Sequence, residues 1–131
     1  MSSAHIPPDF LHTAAHEWLH ALPDGNYAVG ISHAGQDMLG DIVFCGEAGV
    51  GKTLKAGDTC AVVESVKAAS DVHMPIDGEV IAYNSAIDAD PAVLNASAYG
   101  TWIVHIKPTS PSTLSQQLSH LMSPSAYEQH L

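Results

Sequence analysis

A mostly β domain with peripheral helices is the fold this sequence predicts, and three observations predict it. Short apolar runs with strand-like patterning recur between Trp18 and Ile106. Turn chemistry such as Pro23-Asp24-Gly25, Gly57-Asp58 and Pro75-Ile76-Asp77-Gly78 separates them. Sustained helical spacing appears only in the tail, beyond Ser110.

In chain order, residues 1–9 read as a loose arm, and Trp18 to Leu22 and Tyr27 to Ile31 as strands. Ser32 then has the chemistry to cap a short helix from His33 to Leu39 that ends at Gly40. Ile42 to Cys45 is a third strand. Thr59 to Val66 is β-rich, with Cys60, Val62 and Val66 expected on one face and Ala61, Val63 and Ser65 on the other. After Lys67, Asp71 to Ile76 forms the return strand, with Val72, Met74 and Ile76 alternating inward, so Lys67 sits at or beside a hairpin tip. Glu79 to Tyr83 starts another strand. Asp88-Ala89-Asp90-Pro91 is a turn or the start of one helical turn, and Trp102 to Ile106 is a late strand.

Residues 110–131 form a helical tail. Ser110 is the expected N-cap and Pro111 the first helical residue, with Leu114, Leu118, Leu121 and Met122 at helical spacing. Ser123-Pro124 repeats the start signal for a last helix, with Tyr127 and Leu131 four apart. The polar face of this tail is Ser and Gln rather than basic, so it is expected to pack on its own domain and not on a membrane.

Composition narrows the function. A chain of 131 residues predicts one domain with a modest core, and an apolar content of 46% supports folding. Four Lys, no Arg and a net charge of −10 exclude the basic clusters that nucleic acids require. The same charge suits encounters with basic patches on partner proteins, steered over about 8 Å at physiological salt. The first residues carry no secretory signal and no Arg-rich transit pattern, and no run approaches the roughly 18 apolar residues that span a bilayer. A cytoplasmic protein is expected, with the mitochondrial matrix open only if a transit peptide is missing from this chain. Cys45 and Cys60 each fall in a strand-like segment, where reduced, buried thiols are expected, although sequence leaves their pairing open.

Two motif matches lack the context they need. Gly46-Glu47-Ala48-Gly49-Val50-Gly51-Lys52-Thr53 fits the phosphate-loop pattern, which works only where a helix follows and points its N–H groups at the phosphate. Here Gly57-Asp58 turns the chain almost at once. His16-Glu17-Trp18-Leu19-His20 fits the zinc-protease pattern, but Pro23-Asp24-Gly25 leaves room for two helical turns at most. In a strand, His16 and His20 would lie roughly 13 Å apart, too far to share one ion. No metal site is expected.

The strongest signal surrounds Lys67. A lone turn lysine is ordinarily just solvated. Here it lies within Glu64-Ser65-Val66-Lys67-Ala68-Ala69-Ser70-Asp71, followed by Pro75, Gly78, Glu79 and Val80. This stretch resembles the attachment hairpin of lipoyl and biotinyl carrier domains. Val66 and Ala68 stand where biotinyl domains usually place methionines, which favours lipoate. From about residue 10 onward the chain resembles the family of glycine cleavage H proteins, through His16-Glu17-Trp18, Gly30-Ile31, Leu39-Gly40-Asp41-Ile42-Val43-Phe44, Gly51 to Asp58, Asn95, Tyr99-Gly100, Trp102-Ile103 and Ile106-Lys107-Pro108.

That resemblance implies a flattened lipoyl-type β-barrel, or hybrid sandwich, with lipoate joined to Lys67 as an amide. It implies a non-catalytic carrier, expected as a monomer, that takes an aminomethyl group from glycine decarboxylase (P protein) to an aminomethyltransferase (T protein). Dihydrolipoyl dehydrogenase (L protein) then reoxidises it, and a lipoate ligase or an octanoyl or lipoyl transferase attaches the group. Glu64, Ser65, Val66 and Ala68 become candidates for recognition around the lysine. Glu17 and Asp71 become candidates for a cleft that shelters the arm, since a carboxylate accepts hydrogen bonds from an ammonium-like aminomethyl group. Ala15 and Met38 replace polar or histidine side chains frequent in the family, Phe44-Cys45-Gly46 lacks the usual prolyl sequence after it, and Tyr99-Gly100-Thr101-Trp102 is one residue short. These departures bear on the polarity of the cleft. The alternative within the same resemblance is an H-like lipoyl carrier serving lipoyl transfer or sulfur oxidation.

Overall fold

The computed structural model describes residues 5–131. The expected loose arm therefore lies partly outside the described residues; its remainder, residues 5–9, forms neither strand nor helix. Nine strands follow in chain order: β1 (Leu11–His12), β2 (Glu17–Ala21), β3 (Tyr27–Ile31), β4 (Ile42–Glu47), β5 (Thr53–Leu54), β6 (Thr59–Ser65), β7 (Ala69–His73), β8 (Gly78–Tyr83) and β9 (Val104–Pro108). Five short helices intervene or follow: α1 (His33–Leu39), α2 (Ala86–Ala89), α3 (Val93–Ala96), α4 (Leu114–Ser119) and α5 (Pro124–His130).

The strands form two sheets that do not close into one hydrogen-bonded barrel. One is six-stranded in the order β1-β2-β3-β9-β8-β5, and the other is β4-β6-β7. Their inner faces share one core, in which Leu19, Val29, Val80 and Ile106 from the first sheet join Cys45, Cys60, Val63 and Val72 from the second. Fully burying an aliphatic side chain of this size contributes about 1.5–3 kcal/mol, so this shared layer holds the sheets together. A smaller cluster of Phe10, Trp18 and Ala28 lies beside it. There the Trp18 ring lies against Gly30, where a β-carbon would collide with it, and its Nε1–H donates to the Ala98 carbonyl at 3.1 Å.

Local chemistry explains most elements. Ser32 caps α1 through its side chain, which accepts from the Gly35 N–H at 3.0 Å, and Gly40 ends it with φ +82°. Ser123 and Pro124 open α5 as their sequence predicts. Val72, Met74 and Ile76 are all buried, but β7 spans Ala69–His73, so the expected strand from Asp71 to Ile76 stops early and Met74, Pro75 and Ile76 pack inward together beyond it.

Several expectations need correction. A β-bulge between Thr59 and Ala61 buries Cys60 and Ala61 together, so simple alternation fails at the start of β6. Val66 is not on an inner face at all; it belongs to the tip and is 70% exposed. The tail helix begins at Leu114 rather than after Ser110, because residues 110–113 form a turn closed by Thr113 N–H on the Ser110 carbonyl. The Ser110 hydroxyl meanwhile turns to Asp77. Tyr127 is fully buried, whereas Leu131 is exposed, so they do not form one apolar stripe. The late strand starts at Val104, two residues after the expected Trp102, although Ile103 N–H still bonds the Val29 carbonyl. Asp88-Ala89-Asp90-Pro91 is divided: Asp88 and Ala89 end the single-turn helix α2, and Asp90 and Pro91 make the turn that leads to α3.

Candidate functional site

Lys67 stands at the tip of the β6–β7 hairpin. Antiparallel pairing runs up to Glu64 opposite Ala69. Beyond it Ser65 organises the turn: its backbone N–H donates to the Ala68 carbonyl at 2.7 Å, and its hydroxyl oxygen accepts from the N–H groups of Lys67 and Ala68. The Val66 N–H donates to the Asp41 carbonyl at 3.0 Å, tying the tip to the loop after α1. Val66, Lys67 and Ala68 are exposed, as are Glu64 and Asp71 on the flanking strands. The Lys67 chain passes over Gly40, whose missing β-carbon would lie 3.5 Å from Lys67 Cε. Among the described residues its ammonium makes no ion pair, since the one ion pair found joins His73 to Glu17.

Beside this hairpin lies a cavity of about 150 Å³. Its walls come from Ala15, His16 and Glu17, from Gly35, Met38 and Leu39 of α1, and from Val63, Ser70, Asp71 and Val72 of the hairpin strands. The structure thus gathers Glu17 and Asp71 on one cavity, along with the two substituted positions Ala15 and Met38. Glu64, Ser65, Val66 and Ala68 do not line it; they surround the lysine itself.

Glu17 and Asp71 are held differently. Asp71 is exposed and accepts a hydrogen bond from the Thr59 hydroxyl at 3.2 Å. Glu17 is only 2% exposed, and a carboxylate at that depth needs strong donors. It has three: the Thr13 hydroxyl on Oε1, and on Oε2 both the His73 backbone N–H at 3.0 Å and His73 Nδ1 at 2.9 Å. These bonds also connect the β2 end of the first sheet to the hairpin strand β7.

His16, just before β2, has φ +71°, the one non-glycine residue with positive φ among those described. Such a conformation costs about 1–3 kcal/mol and persists only when its surroundings enforce it. Here the enforcement is visible. The His16 carbonyl accepts the Ser32 N–H at 2.9 Å, and its Nδ1 bonds the Tyr127 hydroxyl of α5 at 2.6 Å. The same hydroxyl bonds Ser32 Oγ at 2.6 Å. Tyr127 also stacks on His12, with ring centroids 4.1 Å apart. Burial pushes the His12 imidazole down to about 4, aided by His16. Burial also lowers His16, with His130 adding to the effect and Glu17 opposing it.

Both rejected motifs lack their required elements. After β4 the chain makes a turn and the short strand β5, and the next helix is α2 at Ala86, so no helix end faces the 46–53 loop. Glu17 to Ala21 is strand, with Glu17 committed to Thr13 and His73. Cys45 and Cys60 are free and buried. Burial raises Cys60 to about 12, which makes it a core side chain rather than a nucleophile.

Sequence reasoning missed His73 and Tyr127 as site-forming residues. His73 lies 56 positions from Glu17, and Tyr127 lies 111 from His16. No local pattern joins such pairs, and Tyr127 reads only as an apolar helix position.

Comparison with known proteins agrees with this arrangement. The family model described as glycine cleavage H-protein matches residues 10–131. The glycine cleavage system H protein of Thiobacillus denitrificans is 47% identical, covering 94% of this chain and 92% of that protein. The protein of the same name from Bordetella pertussis is 49% identical over 86% of this chain and 90% of its own length. A crystal structure of a glycine cleavage system H protein from Mycobacterium marinum superposes with a TM-score of 0.81 at 36% identity, covering 95% of this chain and 97% of that one. A β-rich fold, an exposed hairpin lysine and these matches together place the chain in the glycine cleavage H-protein family.

Proposed function

We propose that this chain is the lipoylated carrier of a glycine cleavage system, with Lys67 as the attachment point. One observation carries the assignment: an exposed amine, with no ion pair among the described residues, stands at a bonded hairpin tip beside a cavity partly walled by that hairpin's own strands. The residues fit the group. An attaching enzyme needs the amine in reach, and the flanking Glu64, Ser65, Val66 and Ala68 give it a surface to read. Val66 supplies the most exposed apolar contact there, at 70%. When bound as an amide, lipoate supplies a dithiolane held far from the relaxed disulfide dihedral of about 90°, which makes it easily reduced.

The chain's own part is to hold and shelter. The mostly apolar cavity wall excludes water, while Glu17 and Asp71 offer negative charge to an aminomethyl cargo. Chemistry belongs to the cofactor and the partners, so this is a carrier rather than an enzyme. Its partners are glycine decarboxylase, the aminomethyltransferase, dihydrolipoyl dehydrogenase and a lipoyl-attaching enzyme. The chain acts as one monomeric domain in the cytoplasm; among the described residues no helix is long and apolar enough to cross a membrane.

The test has two stages. Protein made in a lipoate-supplied host gains the mass of one lipoyl group, mapped to Lys67; modification at Lys52, Lys55 or Lys107 instead refutes the site. The modified protein then supports glycine decarboxylation with its cognate partners. Modified protein that is inactive there refutes the pathway and favours lipoyl transfer or sulfur oxidation.

A further inference from the structure

Two of the three donors that satisfy the buried Glu17 carboxylate belong to one residue, His73. Facing an ionised carboxylate, His73 Nδ1 has to donate, so the ring is fixed with its proton on that nitrogen. A carboxylate offers about four acceptor positions. Thr13 fills one on Oε1 and His73 fills two on Oε2, which leaves a single position, on Oε1.

The type of donor matters as much as the count. An imidazole with its proton on Nδ1 alone would satisfy the oxygen without cancelling its charge, whereas a lysine there would neutralise the pair. Asp71 contributes less, since it is exposed and its charge is screened by water. We propose that His73 sets the charge preference of the cavity: as an uncharged donor it fixes the Glu17 carboxylate and leaves one negative charge and one acceptor position for an ammonium group on the arm. His73 is thereby a specificity-determining residue that acts through Glu17. The inference rests on the cavity being the resting place of the Lys67 arm.

The test uses full-length lipoylated protein, as wild type, His73→Asn and His73→Lys, at pH 8.5. Intact mass follows loss of the aminomethyl cargo after loading. A parallel measurement follows reaction of the cargo-free, reduced arm with iodoacetamide. The Asn variant, which also donates without charge, keeps the cargo within about threefold of wild type, and the Lys variant loses it at least about tenfold faster, the weak end of one charge-assisted hydrogen bond. Iodoacetamide rates stay equal in all three. Equal cargo lifetimes in wild type and the Lys variant overturn the proposal, as does a faster iodoacetamide reaction in that variant, which would mean the cavity had simply opened. A wild type that protects its cargo no better than urea-unfolded protein overturns the cavity reading and this proposal together, while leaving Lys67 attachment standing. Nitrogen NMR of the wild-type imidazoles is independent of whether any variant folds: His73 protonated on Nδ1 alone supports the proposal, and protonation on Nε2 alone or on both nitrogens overturns it.

Discussion

Removing the Tyr127 hydroxyl alone, by Tyr127→Phe, tests whether α5 holds the strained turn before β2. The ring stays, and with it the stack on His12 at 4.1 Å. What disappears are the two 2.6 Å bonds, to Ser32 Oγ and His16 Nδ1. Each such bond contributes about 0.5–1.5 kcal/mol net, and a buried partner left unsatisfied costs more. Ser32 keeps its bond from the Gly35 N–H, and half-buried His16 regains water in part, so the loss is about 2 kcal/mol in total. With an unfolding entropy near 2.1 cal/mol/K per residue, that lowers the melting temperature by about 7 °C. The assay is urea and thermal unfolding of both proteins, reading a lower midpoint with an unchanged m-value. A change below about 0.5 kcal/mol, typical of a surface position, would refute the idea that this hydroxyl enforces the His16 conformation.

Three further outcomes are expected. Lys67→Ala abolishes lipoylation yet changes stability by no more than about 0.5 kcal/mol, as measured by mass and by urea unfolding, because the side chain is exposed and makes no ion pair among the described residues. His12 protonates at about 4 in the fold against 6.5 unfolded, so between those values the unfolded chain holds the extra proton; its contribution to stability is full above pH 6.5 and falls by about 3 kcal/mol as pH drops to 4, read as a falling urea midpoint that His12→Gln makes clearly shallower, with His16 accounting for part of what remains. Gly30→Ala destabilises by about 1–3 kcal/mol in thermal unfolding, since its new methyl must displace the buried Trp18 ring.

Legibility in the sequence followed the range of the interaction. α1 could be read to the residue because its cap and its stop, Ser32 and Gly40, act within a few positions. α5 announced itself through Ser123-Pro124 in the same way. Ser110 has equally good capping chemistry, but Asp77, distant in sequence, captures its hydroxyl, and the helix begins later. The faces of β6 were misread because the bulge near Thr59 depends on its pairing with β7, not on β6 alone. The tip position of Lys67 was legible from the strand-like runs on either side of it. The donors that fix Glu17 and His16 were not, because His73 and Tyr127 reach them only once both sheets and the tail have packed.

The Val66 N–H bond to Asp41, together with the Ser65 bonds across the turn, has a mechanical consequence. The backbone on both sides of Lys67 is tied down, so an arm attached there would sweep a radius set by the rotatable bonds beyond the α-carbon. An enzyme acting on the arm proposed at Lys67 would therefore have to bring its catalytic pocket within that hemisphere, docking body to body, instead of waiting for a loop to bend toward it.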